Sequence, residues 1–156
     1  DFNYAYGDHY KSQRELVNLL VNIVAKGGNM ALNVSPQPDG RIPVEAWESL
    51  RGLGAWMQTY GEAIYGTRIC APYQSGNLAF TQKGDTVYAI RLYPEEGEAV
   101  EEKLLIPYQG KIRGISMVDT KKEAEWKMTE EGIQVVIPQE YREGETPIAI
   151  VWKIEQ

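Results

Sequence analysis

The sequence predicts an α/β layer followed by an all-β unit, for which we expect an antiparallel β-sandwich. The first observation is that apolar residues before residue 61 recur at helical spacing around one short apolar run. The second is that the apolar pattern alternates with a period of two from about residue 77. The change falls at a glycine-bracketed loop, 61–67, and we therefore divide the chain into domains 1–68 and 69–156.

A capping box predicts that the first helix begins at Ser12. The Ser12 hydroxyl can accept a free backbone N–H while Glu15 accepts the Ser12 N–H. The apolar stripe that follows is widened by three valines, and its members are Leu16, Val17, Leu19, Leu20, Val21, Ile23 and Val24. So wide a stripe predicts a helix that lies against a sheet and also contacts other neighbours. Gly27 and Gly28 can adopt the left-handed backbone that closes a helix.

A short apolar run, 30–34, comes next and is interrupted only by Asn33. This pattern predicts a strand covered on both faces. Two prolines and a turn at Asp39 then exclude regular structure until Pro43, which suits the start of a second helix at 44–60. The order of helix, strand, loop and helix is part of an α/β layer, with the loop at the carboxyl end of the strand, where such folds bind ligands.

One buried strand has too few partners to form a sheet. The chain also begins at Asp1 without a methionine. We therefore expect the sequence to be a processed or excised portion of a longer protein.

Seven short strands are predicted in the second unit, because turn residues separate alternating segments. Their ranges are 78–82, 86–93, 102–106, 111–118, 124–128, 133–137 and 147–154. This spacing favours an antiparallel sandwich. Trp126 and Trp152 alternate with polar residues and are expected in the sandwich core, the alternative being an exposed platform for a sugar.

Composition excludes several functional classes. A net charge of −6 and a pI near 4.9 argue against a nucleic-acid partner. The longest apolar run, 16–25, is broken by Asn18 and Asn22 and is too short to span a membrane. A single cysteine and a single histidine leave no disulfide and no Cys/His zinc site. No dinucleotide fingerprint is present, so we expect neither a cofactor nor a metal.

The residues themselves reveal no catalytic set. The only histidine, His9, could act as a base, but the sequence has no serine nucleophile motif, and most carboxylates lie in charged turns. Cys70 is interpreted as a packing residue. Asn33 is the better candidate, because an amide at the end of an apolar strand either binds a neighbouring loop backbone or points into a site. The tyrosine-rich loop at 1–10 is expected to pack over the first helix.

Several segments occur in an order that resembles a known enzyme family. They are Tyr10-Lys11-Ser12, Leu20-Val21-Asn22-Ile23-Val24-Ala25-Lys26-Gly27-Gly28-Asn29, Leu32-Asn33-Val34-Ser35-Pro36, Asp39-Gly40-Arg41-Ile42-Pro43 and Gly61-Glu62-Ala63-Ile64-Tyr65-Gly66-Thr67-Arg68. Together they resemble the closing part of the α-L-fucosidases, the family 29 glycoside hydrolases. Weaker similarity to that family's C-terminal domain continues at Phe80-Thr81 and Thr86-Val87-Tyr88-Ala89-Ile90.

The resemblance implies that residues 1–68 are the last β/α units of a (β/α)8-like barrel and that residues 69–156 form a sandwich. It also implies retaining hydrolysis of terminal α-L-fucose, with a fucosylated glycan as partner and a location outside the cytoplasm. The family's nucleophile and fucose-binding histidines lie upstream of the matched region. No catalytic residue is therefore assigned, and we expect this chain alone to be inactive.

The resemblance also implies two substrate-binding residues. The family's Trp-Gly-Tyr motif, whose aromatic residue packs on fucose, aligns with Tyr4-Ala5-Tyr6, which makes Tyr4 a candidate alongside its packing role. Asn33 would support the floor of the barrel. Met30 and Ala31 replace leucines, and Ser35 replaces a glycine. The alternative function is a non-catalytic carbohydrate-binding or structural module that uses a face of the sandwich.

Overall fold

A computed structural model describes residues 3–156 as a helical layer on two antiparallel sheets. Helices α1 (Gln13–Ala25) and α2 (Val44–Tyr60) and a 3-10 helix (Gly61–Ala63) form the helical layer. The strands are β1 (Arg68–Ser75), β2 (Leu78–Lys83), β3 (Thr86–Leu92), β4 (Lys103–Ile106), β5 (Gly114–Met117), β6 (Glu125–Thr129), β7 (Gly132–Val136) and β8 (Ala149–Glu155). A short helix, α3 (Gln139–Arg142), precedes β8.

The two sheets enclose the main core. The larger sheet has the order β1-β2-β3-β8-β5 and the smaller one β4-β7-β6. Between them lie the largest buried side chains, including Phe80, Tyr93, Ile106, Met117, Ile133, Ile137 and Trp152. The antiparallel sandwich predicted from the alternating segments is confirmed.

The centre of the five-stranded sheet is buried on both faces, as β8 illustrates. Ile150, Trp152 and Ile154 lie in the core between the sheets, whereas Ala149 and Val151 lie in the cluster beneath the helices. The helices contribute Val17, Leu20, Val21, Ala25 and Trp56 to that second cluster. Most of the apolar stripe of α1 is thus covered by a sheet of the sandwich, whereas Leu19 is 40% exposed.

Two polar attachments fix the helical layer to the sandwich. The Arg14 guanidinium donates to the carbonyl oxygens of Tyr93 at 2.6 Å, Thr146 at 2.8 Å and Pro147 at 3.0 Å. The second attachment is Glu62, which accepts from Lys121 Nζ and Tyr88 Oη, both at 2.9 Å, and lies 3.3 Å from Lys153 Nζ. Charged groups are involved in both attachments, so each hydrogen bond is stronger than a neutral one.

Desolvation raises the pKa of Glu62, but the hydrogen bonds from Lys121, Tyr88 and Lys153 outweigh it and lower the pKa to about 2. The carboxylate is therefore ionised over the physiological pH range. Nearby, the buried Thr81 hydroxyl donates to the carbonyl oxygen of Ala63 at 2.7 Å.

Both ends of α1 have the predicted chemistry. The capping box is complete, with Glu15 N donating to Ser12 Oγ at 3.1 Å and Ser12 N donating to Glu15 Oε1 at 3.3 Å. Gly27 has a φ of +84°, and Gly28 N donates to Ile23 O at 2.9 Å, which closes a Schellman motif. Helix α2 has the predicted bounds.

All seven predicted strands are confirmed to within a few residues, but β1 was missed. Its exposure does not alternate, and its pairing with β2 is irregular between Ile69 and Gln74. The single-turn helix α3 was also missed. Among residues 3–156, no helix is long and apolar enough to cross a membrane.

The predicted strand at 30–34 is wrong for this structure. These residues are in no helix or strand, and Leu32 is 38% exposed. Every strand in the described part of the chain pairs within the sandwich sheets. The segment therefore has no backbone partner to make it a strand.

Candidate functional site

A cavity of about 220 Å³ lies among the tyrosine-rich loop, α1 and the segment after the Schellman motif. Its walls are Tyr4, Ala5, Asp8, His9, Tyr10, Lys11, Leu16, Leu32, Asn33, Val34, Ser35 and Ala46. Both residues predicted to bind substrate, Tyr4 and Asn33, therefore line one cavity. We call it the Tyr4 pocket.

The loop that carries Tyr4 is held by local contacts. The Tyr4 ring meets the Tyr6 ring edge to face, with centroids 5.1 Å apart and planes at 76°. Tyr6 itself is 90% exposed, so it supports Tyr4 from the solvent side. Asp8 Oδ1 accepts from the His9 backbone N–H at 2.9 Å, and Gly7 supplies a φ of +72° for the turn.

Asn33 is exposed and lines the pocket. Within residues 3–156 its side chain forms no hydrogen bond to another residue. The sequence allowed two interpretations of this side chain: a hydrogen bond to a neighbouring loop backbone, or a position in a site. The hydrogen bond to a loop backbone is not formed within the described part of the chain. Its amide, with two donors and an acceptor oxygen, can bind a ligand hydroxyl group.

The pocket is apolar below and polar at its rim. Leu16 and Ala46 are buried beneath it, while Asp8, His9 and Lys11 are exposed around it. His9 Nε2 lies 3.6 Å from Glu15 Oε2. The hydrogen bond from the Ser12 backbone N–H, with a smaller effect of nearby His9, lowers the pKa of Glu15, which keeps the capping carboxylate ionised.

The described walls of the Tyr4 pocket contain a single carboxylate. Retaining glycosidases use two carboxyl groups roughly 5 Å apart, whereas Asp8 is the one carboxylate in the described lining. No cluster of His, Cys, Asp or Glu within residues 3–156 could hold a metal ion. The volume is below the roughly 300–1,000 Å³ of pockets for larger ligands, which leaves room for a small ring.

A second, wider cavity of about 520 Å³ adjoins the first. We call it the Trp47 groove; its lining is Tyr4, Gln37, Arg41, Ile42, Val44, Glu45, Trp47, Glu48 and Arg51. Trp47 is in the first turn of α2, and its side chain is 49% exposed. A helical period shows which residues share a face but does not say whether that face is covered.

Four other predictions concern single residues. Asp39 is a turn residue as predicted, because it accepts from Arg41 N at 3.1 Å and Arg41 Nε at 2.7 Å. Cys70 is buried as a packing residue, and desolvation raises the pKa of its thiol. In the sandwich Trp152 is fully buried, while Trp126 packs against the core only in part.

Two family descriptions match the chain in succession. Residues 1–62 match "Alpha-L-fucosidase", and residues 72–155 match "Alpha-L-fucosidase C-terminal domain". The chain belongs to the α-L-fucosidase family. The resemblance that the sequence motifs carried is thereby confirmed.

Individual fucosidases agree with this assignment. The α-L-fucosidase of Branchiostoma floridae is 33% identical over 137 residues, which are 83% of this chain and 29% of that protein. Tissue α-L-fucosidase of Rattus norvegicus is 30% identical over 148 residues, which are 92% of this chain and 31% of the relative. The chain thus spans about three-tenths of the length of these fucosidases.

A solved fucosidase structure shares the fold. The crystal structure of Thermotoga maritima α-fucosidase in complex with fucose superposes with a TM-score of 0.81 at 30% identity. The match covers 98% of this chain and 37% of that one. The predicted fold class, β/α units followed by a β-sandwich, is confirmed by this similarity.

Proposed function

We propose that this chain is the C-terminal part of a retaining α-L-fucosidase that removes terminal α-L-fucose from glycans. The observation that carries the proposal is that Tyr4 and Asn33, far apart in sequence, line the same pocket. Tyr4 stands where the family resemblance expects the aromatic residue that packs on fucose. The T. maritima relative is a fucose complex, which supports fucose as the ligand.

In this proposal the two domains have different roles. Residues 1–68 belong to the catalytic barrel, and residues 69–156 are the C-terminal sandwich. The segment 30–34, which is not a strand in this structure, takes the place of the last barrel strand only when strands from the rest of the enzyme pair with it. Its apolar composition and its lack of partners within residues 3–156 support this assignment.

The two site residues bind different parts of the sugar. The Tyr4 ring packs against the apolar face of fucose, and the Asn33 amide hydrogen-bonds a hydroxyl group directly or holds the pocket floor. The nucleophile and the acid/base carboxylate come from the rest of the enzyme. The isolated chain therefore releases no nitrophenol from an aryl α-L-fucoside.

Kinetics of the intact enzyme with an aryl α-L-fucoside test the site. Tyr4→Ala is expected to lower kcat/KM about 10–100-fold, because a desolvating aromatic contact to the sugar is lost. Tyr4→Trp, which restores the family's residue, is expected to retain activity. Tyr65→Ala removes an exposed aromatic ring outside the pocket and is the control. Equal kcat/KM values for Tyr4→Ala and the control would overturn the assignment of Tyr4.

A second candidate function is glycan binding by the sandwich without catalysis. One observation favours it: a shallow groove of about 200 Å³ on the three-stranded sheet, bordered by Lys103, Glu125, Trp126, Lys127, Gln134 and Val136. If this candidate is correct, Trp126→Ala removes glycan binding and Tyr4→Ala leaves it intact. The main proposal expects the reverse.

A further inference from the structure

The first turn of α1 lies between the Tyr4 pocket and the sandwich. Leu16, which is 2% exposed, forms part of the pocket floor, and Lys11, directly before the capping residue, lines the wall. Arg14 extends from the same turn to the sandwich, where its guanidinium donates to three backbone carbonyl oxygens at 2.6 to 3.0 Å. One turn of helix thus contacts the pocket on one side and the sandwich on another.

The three carbonyl acceptors come from two segments of the sandwich. Tyr93 directly follows β3, and Thr146 and Pro147 lie shortly before β8. The two segments are themselves joined, because Tyr93 N donates to Ile148 O at 3.0 Å beyond the end of the β3–β8 ladder. Arginine presents its donors in a planar fork, so bonds to both segments fix the direction of the guanidinium as well as its position. Arg14 is therefore held by backbone at the border of the sandwich core.

The loop that carries Tyr4 is attached to the same turn of α1. Its last residue, Lys11, directly precedes the capping residue, and Lys11 O accepts from Ser49 Oγ of α2 at 2.7 Å. Nearby, His9 Nε2 lies 3.6 Å from Glu15 Oε2 of the first turn. The carboxyl end of the loop therefore moves with that turn, and this is how a shift of α1 would reach Tyr4.

The second attachment of the helical layer provides a contrast. Glu62 accepts from Lys121 Nζ and Tyr88 Oη, each at 2.9 Å, but it follows α2 and lies outside the described lining of the Tyr4 pocket. Both attachments contribute stability through charged hydrogen bonds. Of the two, the one at Arg14 lies in the turn that carries pocket residues, so its loss is the one that should change the geometry of the pocket.

We propose that Arg14 is a positioning residue for fucose binding, which fixes the loop that carries Tyr4 relative to the sandwich. The sandwich thereby contributes to substrate affinity through backbone carbonyl groups that lie outside the described lining of the pocket. This inference rests on the proposed function, because it requires Tyr4 to pack on the fucose. It goes beyond that function by giving the C-terminal domain a role in the affinity of the site.

The test is steady-state kinetics of the intact enzyme with an aryl α-L-fucoside. Arg14→Met is expected to raise KM about tenfold and to change kcat by less than about twofold, because the displaced contact holds the sugar equally in the ground state and the transition state. Arg14→Lys, which keeps the charge but not the fork, is expected to recover part of the loss. Glu62→Gln is the matched control, since it weakens the other attachment and should leave KM unchanged.

The split between KM and kcat separates positioning from stability. A variant that is merely less stable leaves fewer active molecules, which lowers the apparent kcat and leaves KM unchanged. An unchanged KM in Arg14→Met would overturn the proposal. So would an equal rise of KM in Arg14→Met and Glu62→Gln, because any weakening of the fold would then have the same effect.

A double-mutant cycle tests whether Arg14 acts through Tyr4. In the Tyr4→Ala background, Arg14→Met is expected to change KM by less than about twofold, because the contact that Arg14 positions is already absent. A rise of about tenfold in that background as well would contradict the proposal, since the two residues would then act independently.

Failure of the proposed function gives a different result, since the intact parent enzyme would then not hydrolyse the fucoside. In that event NMR of the isotopically labelled 156-residue chain measures the effect of Arg14 on the loop. Arg14→Met is expected to shift the amide resonances of residues 3–9, and Glu62→Gln is expected to leave them unchanged. Unshifted resonances in Arg14→Met, or equal shifts in both variants, would show that Arg14 does not position the loop.

Discussion

The sandwich and the region before it, residues 3–67, differ in how completely their backbone is hydrogen-bonded and their apolar side chains are buried within this chain. In the sandwich every strand has a partner, and residues such as Trp152 and Ile154 are completely buried. In the other region, the segment 30–34 has no sheet partner within residues 3–156, and Val44 and Trp47 remain exposed. The comparison teaches that stability resides in the sandwich, while the surfaces available for binding lie on the loops beside it.

The largest expected effect separates two tryptophans. Trp152→Ala removes a fully buried side chain from the sandwich and should lower the free energy of unfolding by about 3–5 kcal/mol. Trp47→Ala removes a half-exposed one and should change it by no more than about 0.5 kcal/mol. Urea denaturation of the 156-residue chain measures both. Similar losses in the free energy of unfolding for the two variants would contradict the proposed difference between the two regions.

A smaller effect is expected where the two regions are joined. Arg14→Met removes three hydrogen bonds from a charged donor to carbonyl oxygens of the sandwich. We expect a loss of about 2–3 kcal/mol in urea denaturation, with Arg14→Lys recovering part of it because ammonium cannot reproduce the planar fork. Arg68→Met is the control, since the Arg68 side chain donates to its neighbour Thr67. If both variants behaved alike, Arg14 would not be the attachment.

The smallest effect concerns pH. Because the pKa of Glu62 is lowered to about 2 in the folded chain, its contribution to stability is present above the ordinary carboxyl pKa and is lost as pH falls toward 2. After allowance for its 28% exposed side chain, we expect a loss of about 1–2 kcal/mol over this range.

The control for this prediction is a variant without the charge. Glu62→Gln should be less stable than the parent at neutral pH, and the difference should shrink as pH falls below 4. Glu95→Gln, on an exposed loop, should follow the parent at every pH. A constant difference between Glu62→Gln and the parent would show that the charge of Glu62 does not stabilise the fold.

Sequence alone predicted the elements whose signals are local. The capping box at Ser12 fixed the start of α1, and alternation with turn residues located seven strands. The strand at 30–34 was predicted wrongly because a strand depends on partners that sequence pattern does not supply. β1 was missed for the opposite reason: its partner β2 holds it in the sheet although its own residues do not alternate.

That Tyr4 and Asn33 bind substrate stays a prediction. The family resemblance named Tyr4 and Asn33, but no local pattern could bring them to one pocket, because the contact depends on how the loop folds over α1. The exposure of Trp47 was likewise hidden, since its helical spacing is equally consistent with either face. The residue types could be read from the sequence, whereas their arrangement in space, which depends on contacts between distant segments, could not.

The most direct test of where this chain binds sugar is an NMR titration of the isotopically labelled 156-residue chain with L-fucose. The account predicts shift changes at Tyr4, Asn33 and their neighbours in the Tyr4 pocket, with the sandwich resonances unchanged. Shift changes centred on Trp126 and the outer face of the three-stranded sheet, with none at Tyr4 or Asn33, would contradict it.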